Sequence, residues 1–143
     1  MNILAVIPAR RGSSRFPGKP LAEINGKPMI GHVFERVQQC ELLTKTVVAT
    51  CDDSIMDYIT GLGGEAVMTS KKHERASDRA AEALNILEEK DQVRYDIIVM
   101  VQGDEPMTDP EMVSEAIRPM LSDSSIKVVN LVANITSQKE FED

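Results

Sequence analysis

Four cations, Arg10, Arg11, Arg15 and Lys19, fall within ten consecutive residues of a chain whose formal net charge is −7. An even spread of its 16 basic residues over 143 positions would put about one there. Gly12, Ser13, Ser14 and Gly18 lie between the cations. Backbone N–H groups and hydroxyls interleaved with guanidinium forks and an ammonium form an anion receptor, and phosphate suits it best. A solvated basic turn has the same composition, so the rest of the chain must decide between the two. Two further polar clusters carry carboxylates: Thr50-Cys51-Asp52-Asp53 and Gln102-Gly103-Asp104-Glu105-Pro106. If the fold brings all three together, the chemistry is that of a phosphate ligand with a divalent cation between it and an aspartate.

Each cluster ends an apolar run. Ile3–Ile7 is apolar at every position, as a parallel strand covered on both sides would be. Thr46–Thr50 and Ala66–Met68 read as further strands. Ile97–Val101 is the most apolar run and the best candidate for the central strand. Leu21–Ile24 with Asn25-Gly26 reads as a short extended piece and a turn. Between the strands, helical spacing appears in Met29, Ile30, Val33, Phe34 and Val37, opened by Pro28 in a first turn. His32 falls with Arg36 and Gln39 on the polar side and reads as a surface histidine. A second helix carries Ile55, Met56, Ile59 and Leu62 behind a cap at Asp53 or Ser54 and ends at Gly61, Gly63 and Gly64. A third runs from about Ser77 to Glu89 with Ala80, Ala83, Leu84 and Leu87 on one face. Asp109-Pro110-Glu111 opens a fourth with cap, proline and early acid. Lys127–Ile135 reads as a last strand, and Ser137–Asp143 as the start of a helix.

Alternating strands and helices predict an α/β chain with a mostly parallel sheet and helices on both faces. Parallel strands with right-handed crossovers put every carboxyl end on one edge, where ligands of such sheets bind. The three polar clusters therefore converge there. The phosphate loop is not a Walker loop: five residues rather than four separate Gly12 from Gly18, and Pro20 stands where Ser or Thr would ligate magnesium. No G-x-G-x-x-G follows the first strand, so a dinucleotide fingerprint is absent. Pro17 and Pro20 keep the loop extended, draped along a triphosphate.

Composition excludes several classes. The acidic balance argues against non-specific nucleic-acid binding, and 3% aromatic residues are too few for base-stacking platforms. No run of about 18 apolar residues exists for a membrane span, and the first apolar stretch lacks a charged n-region. Cys40 and Cys51 form neither a zinc motif nor a disulfide framework, so a reducing cytoplasm is the default expectation.

The ordered residues Ile7-Pro8-Ala9-Arg10, Ser13, Arg15, Pro17-Gly18-Lys19-Pro20-Leu21, Ile24 and Gly26-Lys27-Pro28-Met29-Ile30 resemble the signature of the sugar-acid cytidylyltransferases. Within that group the chain is most similar to the 3-deoxy-manno-octulosonate (Kdo) cytidylyltransferase family, the CMP-Kdo synthetases of lipopolysaccharide assembly. Val48-Ala49-Thr50 with Asp52-Asp53, Gly64 with Met68-Thr69, His73, Asp78-Arg79 with Ala81-Glu82, and Val101 to Pro106 follow in the same order. The resemblance covers the chain from Met1 to beyond Glu111. It implies a Rossmann-like nucleotidyltransferase fold, CTP and Mg²⁺ as ligands, a Kdo-like sugar acid as second substrate, and a homodimer for the full-length protein. In the implied reaction the anomeric hydroxyl of the sugar attacks the α-phosphate and pyrophosphate leaves.

Carried over residue by residue, Arg10, Arg15 and Lys19 would neutralise the triphosphate, with Ala9 in the same nucleotide-contacting stretch. The Gly12–Ser14 backbone and the Ser13 hydroxyl would donate to it. Asp104 would hold the magnesium, Gln102 would orient the sugar, and Glu105 would order the loop. Ser77 and Arg79 belong to a segment with one departure. The family usually has Ser-Gly-Thr-Asp-Arg, whereas this chain has Arg75-Ala76-Ser77-Asp78-Arg79. Ser77 retains a hydroxyl for the base, Ala76 adds a Cβ where the glycine stood, and Arg75 adds a charge. Arg79 in a first helical turn opposes the helix dipole, so it calls for a ligand or a carboxylate partner such as Asp78 or Glu82. A cytidylyltransferase for another, sialic-acid-like sugar and a non-catalytic nucleotide-binding module remain the alternatives. Residues 1–143 are expected to be the nucleotide-binding N-terminal part of one nucleotidyltransferase domain. The C-terminal part would be missing, with a second metal ligand and most of the sugar pocket, and the fragment alone would be inactive.

Overall fold

The computed structural model describes residues 1–10, 19–72, 75–103, 108–123 and 125, with only the backbone at Lys19. Strand β1 (Ile3–Pro8) is buried along its whole length, as its unbroken apolar run requires. A short antiparallel hairpin follows, β2 (Glu23–Ile24) against β3 (Lys27–Pro28). Its turn places Asn25 at φ 54° and Gly26 at φ 79°, two left-handed positions that asparagine and glycine occupy most readily. Helix α1 (Met29–Gln38), β4 (Lys45–Thr50), α2 (Asp53–Gly61) and β5 (Glu65–Met68) come next. Then follow α3 (Ala76–Asp91), β6 (Ile97–Met100) and α4 (Pro110–Ser122).

The main sheet is wholly parallel among the described strands, in the order β5-β4-β1-β6. Residues of β1 alternate between two cores. Ile3, Ala5 and Ile7 face α1, α2 and α4, meeting Ile30, Val33, Val37, Ile55, Ile59, Val113 and Ile117. Leu4 and Val6 face the other way, onto Ala80, Ala83 and Leu87 of α3. Helices therefore cover both faces, and the doubly wound architecture stands. Burying a β1 side chain such as Leu4 or Ile7 contributes roughly 1.5–3 kcal/mol; both are fully buried.

Ile97–Met100 is the last strand of the sheet among the described residues, beside β1, because the chain returns from β5 past β1. The strand expected over 127–135, which would decide whether it is central, lies outside them. Ile98 and Met100 are 37% and 43% exposed on the α3 side, which α3 does not reach. Two local readings are corrected. His32 is half-buried, and its Nε2 lies 2.7 Å from the Ile24 carbonyl oxygen, tying the hairpin to α1. Pro28 precedes α1 as its N-cap instead of sitting in its first turn, and Asp52 holds that place for α2, neither with a side-chain cap bond. Asp109 does cap α4, its carboxylate accepting from the Glu111 N–H at 2.8 Å. The strand and helix expected over 127–135 and 137–143 lie outside the described residues.

Candidate functional site

Strand order decides where a ligand can sit. The chain leaves β1 towards β4 and β5, then comes back to β6 on the other side of β1. That reversal opens a crevice between the carboxyl ends of β1 and β6, the place where α/β sheets bind ligands. Both ends carry segments singled out above: Pro8-Ala9-Arg10 after β1 and Val101-Gln102-Gly103 after β6.

These two segments abut. The Val101 N–H donates to the Val6 carbonyl at 3.0 Å, prolonging the β1–β6 pairing beyond the strand. A Cβ added at Gly103 would fall 2.9 Å from the Pro8 carbonyl oxygen, 3.1 Å from Ala9 Cβ and 3.3 Å from Ile30 Cδ1. Only a residue without a side chain lets the backbones approach so closely. Ala9 is 7% exposed, and its N–H donates to the Ala49 carbonyl at 3.0 Å. Arg10, one residue after Ala9, and Gln102, one residue before Gly103, are both exposed at this edge.

The basic loop is strung between fixed points. Ala9 anchors its start. At its end Pro20 is buried, Leu21 packs on the core, and the Met29 N–H donates to the Ala22 carbonyl at 2.9 Å. The Lys27–Glu35 ion pair ties the following hairpin to α1 as well. Gly12, Ser13 and Arg15, the Lys19 side chain, and Asp104 with Glu105 lie outside the described residues.

A second wall is built at β5, two strands from β1 and so about 10 Å away. The Thr69 N–H donates to the Thr50 carbonyl at 2.8 Å, which extends the β4–β5 ladder by one residue. Arg79, 3% exposed in the first turns of α3, donates from Nη1 to Thr69 Oγ1 at 2.9 Å, and Thr69 is itself only 6% exposed. One helical turn on, both oxygens of Glu82 accept from the Ser70 N–H, at 2.9 and 3.1 Å. The sequence offers Glu82 only as a carboxylate partner for Arg79 and gives Thr69 no separate role; the structure puts both at the end of β5. The pairing was visible in principle, since residues three apart share a helix face and Glu82 lies three after Arg79. Ser77 is exposed on the same first turn. Thus the structure gathers Ala9, Arg10 and Gln102 at the crevice and places Ser77 and Arg79 on a separate wall of the same edge. Arg79 is a buried strut there, not an open cation.

Among the described residues no three His, Cys, Asp or Glu side chains gather as metal ligands. A cleft of about 250 Å³ lies at the opposite, amino-terminal edge, between Phe34, Gln38, Thr44, Lys45, Gly64 and Glu65. Its charges serve the fold: Lys45 Nζ pairs with Glu65 at 3.0 Å and Asp91 at 2.7 Å. Partial desolvation works to lower the Lys45 pKa, but the bonds to Asp91 and Glu65 outweigh it and push it up to about 12. The Lys45 ammonium holds Asp91 below the usual carboxylate range.

The cytidylyltransferase family model matches residues 4–143. The 3-deoxy-manno-octulosonate cytidylyltransferase of Trichlorobacter lovleyi is 47% identical over 141 residues, covering 99% of this chain and 54% of its own. The enzyme of the same name from Syntrophus aciditrophicus is 46% identical over 140 residues, covering 98% and 55%. The chain thus spans about half the length of the curated relatives it matches. A solved CMP:2-keto-3-deoxy-manno-octonic acid synthetase complexed with CTP superposes with a TM-score of 0.78 at 40% identity, over 88% of this chain and 50% of that one. With the family model matched from β1 to residue 143, this chain belongs to the cytidylyltransferase family.

Proposed function

We propose that residues 1–143 are the nucleotide-binding part of a single nucleotidyltransferase domain that activates a 3-deoxy sugar acid, Kdo, with CTP. The observation that carries this reading is the contact of Gly103 with Pro8 and Ala9. It sets Arg10 and Gly103, the residues after which the basic segment and the carboxylate segment follow in sequence, side by side at the ends of β1 and β6, in a chain similar to named Kdo cytidylyltransferases. The anomeric oxygen of the sugar forms a bond to the α-phosphorus, the bond to the β-phosphate bridging oxygen breaks, and the hydroxyl proton passes to solvent. Little covalent work falls to the protein; positioning and charge stabilisation dominate such transfers.

In this reading Arg10, Arg15 and Lys19 neutralise the triphosphate, with Gly12 and Ser13 donating to it beside Ala9. Ser77 and Arg79 form the base-reading wall and Gln102 orients the sugar. A carboxylate directly after Gly103 in sequence is a hard oxygen donor of the kind magnesium takes, and Asp104 is the residue that would hold it together with phosphate oxygens. Bound magnesium would supply charge neutralisation to the departing pyrophosphate. Dimer formation and a cytoplasmic location belong to the same proposal; no helix among the described residues is long and apolar enough to cross a membrane.

Pyrophosphate release by the full-length protein, measured with CTP and a panel of sugar acids, tests the reading. Turnover with Kdo is expected. Turnover only with a sialic-acid-like substrate would move the assignment to the related sugar, for which the Arg75-Ala76-Ser77 departure is the observation in favour. CTP binding without turnover on any sugar acid would leave a nucleotide-binding module.

A further inference from the structure

We infer that Thr69 and Glu82 are positioning residues for the base-reading wall of the nucleotide site, an inference that rests on the CTP reading above. Two side chains one turn apart on α3 grip consecutive residues at the end of β5: Arg79 holds the Thr69 hydroxyl at 2.9 Å, and Glu82 holds the Ser70 N–H at 2.9 and 3.1 Å. Thr69 is in turn fixed to the sheet through the Thr50 carbonyl at 2.8 Å. The chain between these residues and the helix is short, so the clamp sets the direction of the first turn of α3. That turn needs an external hold. Its N-cap residue is Arg75, with no side-chain cap bond, and a cation at Arg79 works against the helix dipole.

Burial makes the hold stiff. With Arg79 at 3% and Thr69 at 6% exposure, water cannot easily replace the hydroxyl when it is removed, so a buried guanidinium N–H loses its acceptor and the packing of the turn on the end of β5 is weakened. The turn carries Arg75 and Ser77, both exposed at the carboxyl edge of the sheet. The β5 end to which the turn is clamped stands two strands, about 10 Å, from β1, where the basic loop starts. A nucleotide whose phosphates lie on that loop therefore meets this turn with its base and not with its phosphates. Thr69 and Glu82 act on base preference through the turn, without touching the triphosphate.

Calorimetric titration of the chain with CTP and with inorganic tripolyphosphate separates the two ends of the site, alongside thermal unfolding of each variant. Thr69→Val is expected to weaken CTP roughly tenfold, as loss of one bond through a buried charged group would, and to leave tripolyphosphate affinity unchanged. Thr69→Ser restores the hydroxyl and should restore CTP affinity. Glu82→Ala, a substitution that suits a helix, should reduce the CTP preference in the same sense and covers the case in which Thr69→Val does not fold. Unchanged CTP affinity in both variants, or equal losses for CTP and tripolyphosphate, overturns the inference. An unsubstituted chain that binds tripolyphosphate no more weakly than CTP refutes the base-reading wall. One that binds neither refutes the nucleotide reading itself, and this inference with it.

Discussion

Replacing Gly103 by alanine probes the contact on which the site depends. The added Cβ would fall 2.9 Å from the Pro8 carbonyl oxygen, a backbone atom at the end of a strand paired on both sides. It would also meet Ala9 Cβ at 3.1 Å and Ile30 Cδ1 at 3.3 Å. The Ile30 methyl can yield, but the nearest atom is backbone, so either β6's end or β1's end must move. Overpacking of this kind costs about 1–3 kcal/mol, which for a chain of 143 residues lowers Tm by roughly 3–10 °C. The same displacement moves Ala9 and Arg10; loss of one charge-assisted bond from Arg10 to phosphate, ~1.5–3 kcal/mol, weakens CTP roughly 10- to 150-fold. Differential scanning fluorimetry and calorimetric CTP titration read the two effects. Gly61→Ala is the control, because a Cβ there meets nothing within 4 Å and the position is helical; it should hold or raise Tm. Gly103→Ala with unchanged Tm and unchanged CTP affinity would refute the close approach of the two strand ends.

Arg15→Ala and Lys19→Ala are each expected to weaken CTP by ~2–3 kcal/mol if each removes a charge-assisted contact; calorimetry with unchanged affinity in both would remove the basic loop from the site. Asp104→Asn in the full-length protein should cut turnover by orders of magnitude and raise the magnesium requirement while circular dichroism stays unchanged, and near-normal activity would make Asp104 a structural turn residue. The Lys45–Asp91 pair gives a pH dependence with a definite sign. Asp91 has a lowered folded pKa, so its stabilisation is present above the unfolded value of about 3.9 and disappears as pH falls through the lower folded value. Lys45 has a raised one, so its share is full below about 10.4 and is lost as pH rises through about 12. Both side chains are about a quarter exposed, and a partner-removing Lys45→Met variant should lose on the order of 0.2–1 kcal/mol near neutral pH. That difference should shrink in acid as Asp91 and Glu65, the two partners of Lys45, are protonated, which urea unfolding followed from pH 7 downwards would show.

The sequence by itself determined the elements and the edge they share. Hydrophobic period separates strands from helices without any long-range contact. Ile3–Pro8 had to be buried on both faces, Asn25-Gly26 had to turn, and Asp109-Pro110-Glu111 had to open a helix, because each follows from local backbone chemistry. Once the strands are parallel, the clusters after β1, β4 and β6 must lie on one edge. What the sequence could not decide was lateral order. Apolar runs do not say which strand lies beside which, and it is the return of the chain from β5 that puts Ile97–Met100 next to β1 and not next to β5. Nor does it show which polar residues meet. Arg79 reads as a first-turn cation in want of a ligand or a carboxylate until the packing of α3 on β5 buries it against the Thr69 hydroxyl, and His32 reads as a surface residue until the hairpin folds back to offer the Ile24 carbonyl. Gly103 is one loop glycine among eight in the sequence, and only the approach of two distant backbones makes a side chain there impossible to fit without movement. Local propensity acts over a few residues, whereas each of these contacts joins elements through the sheet, and so it required the tertiary structure.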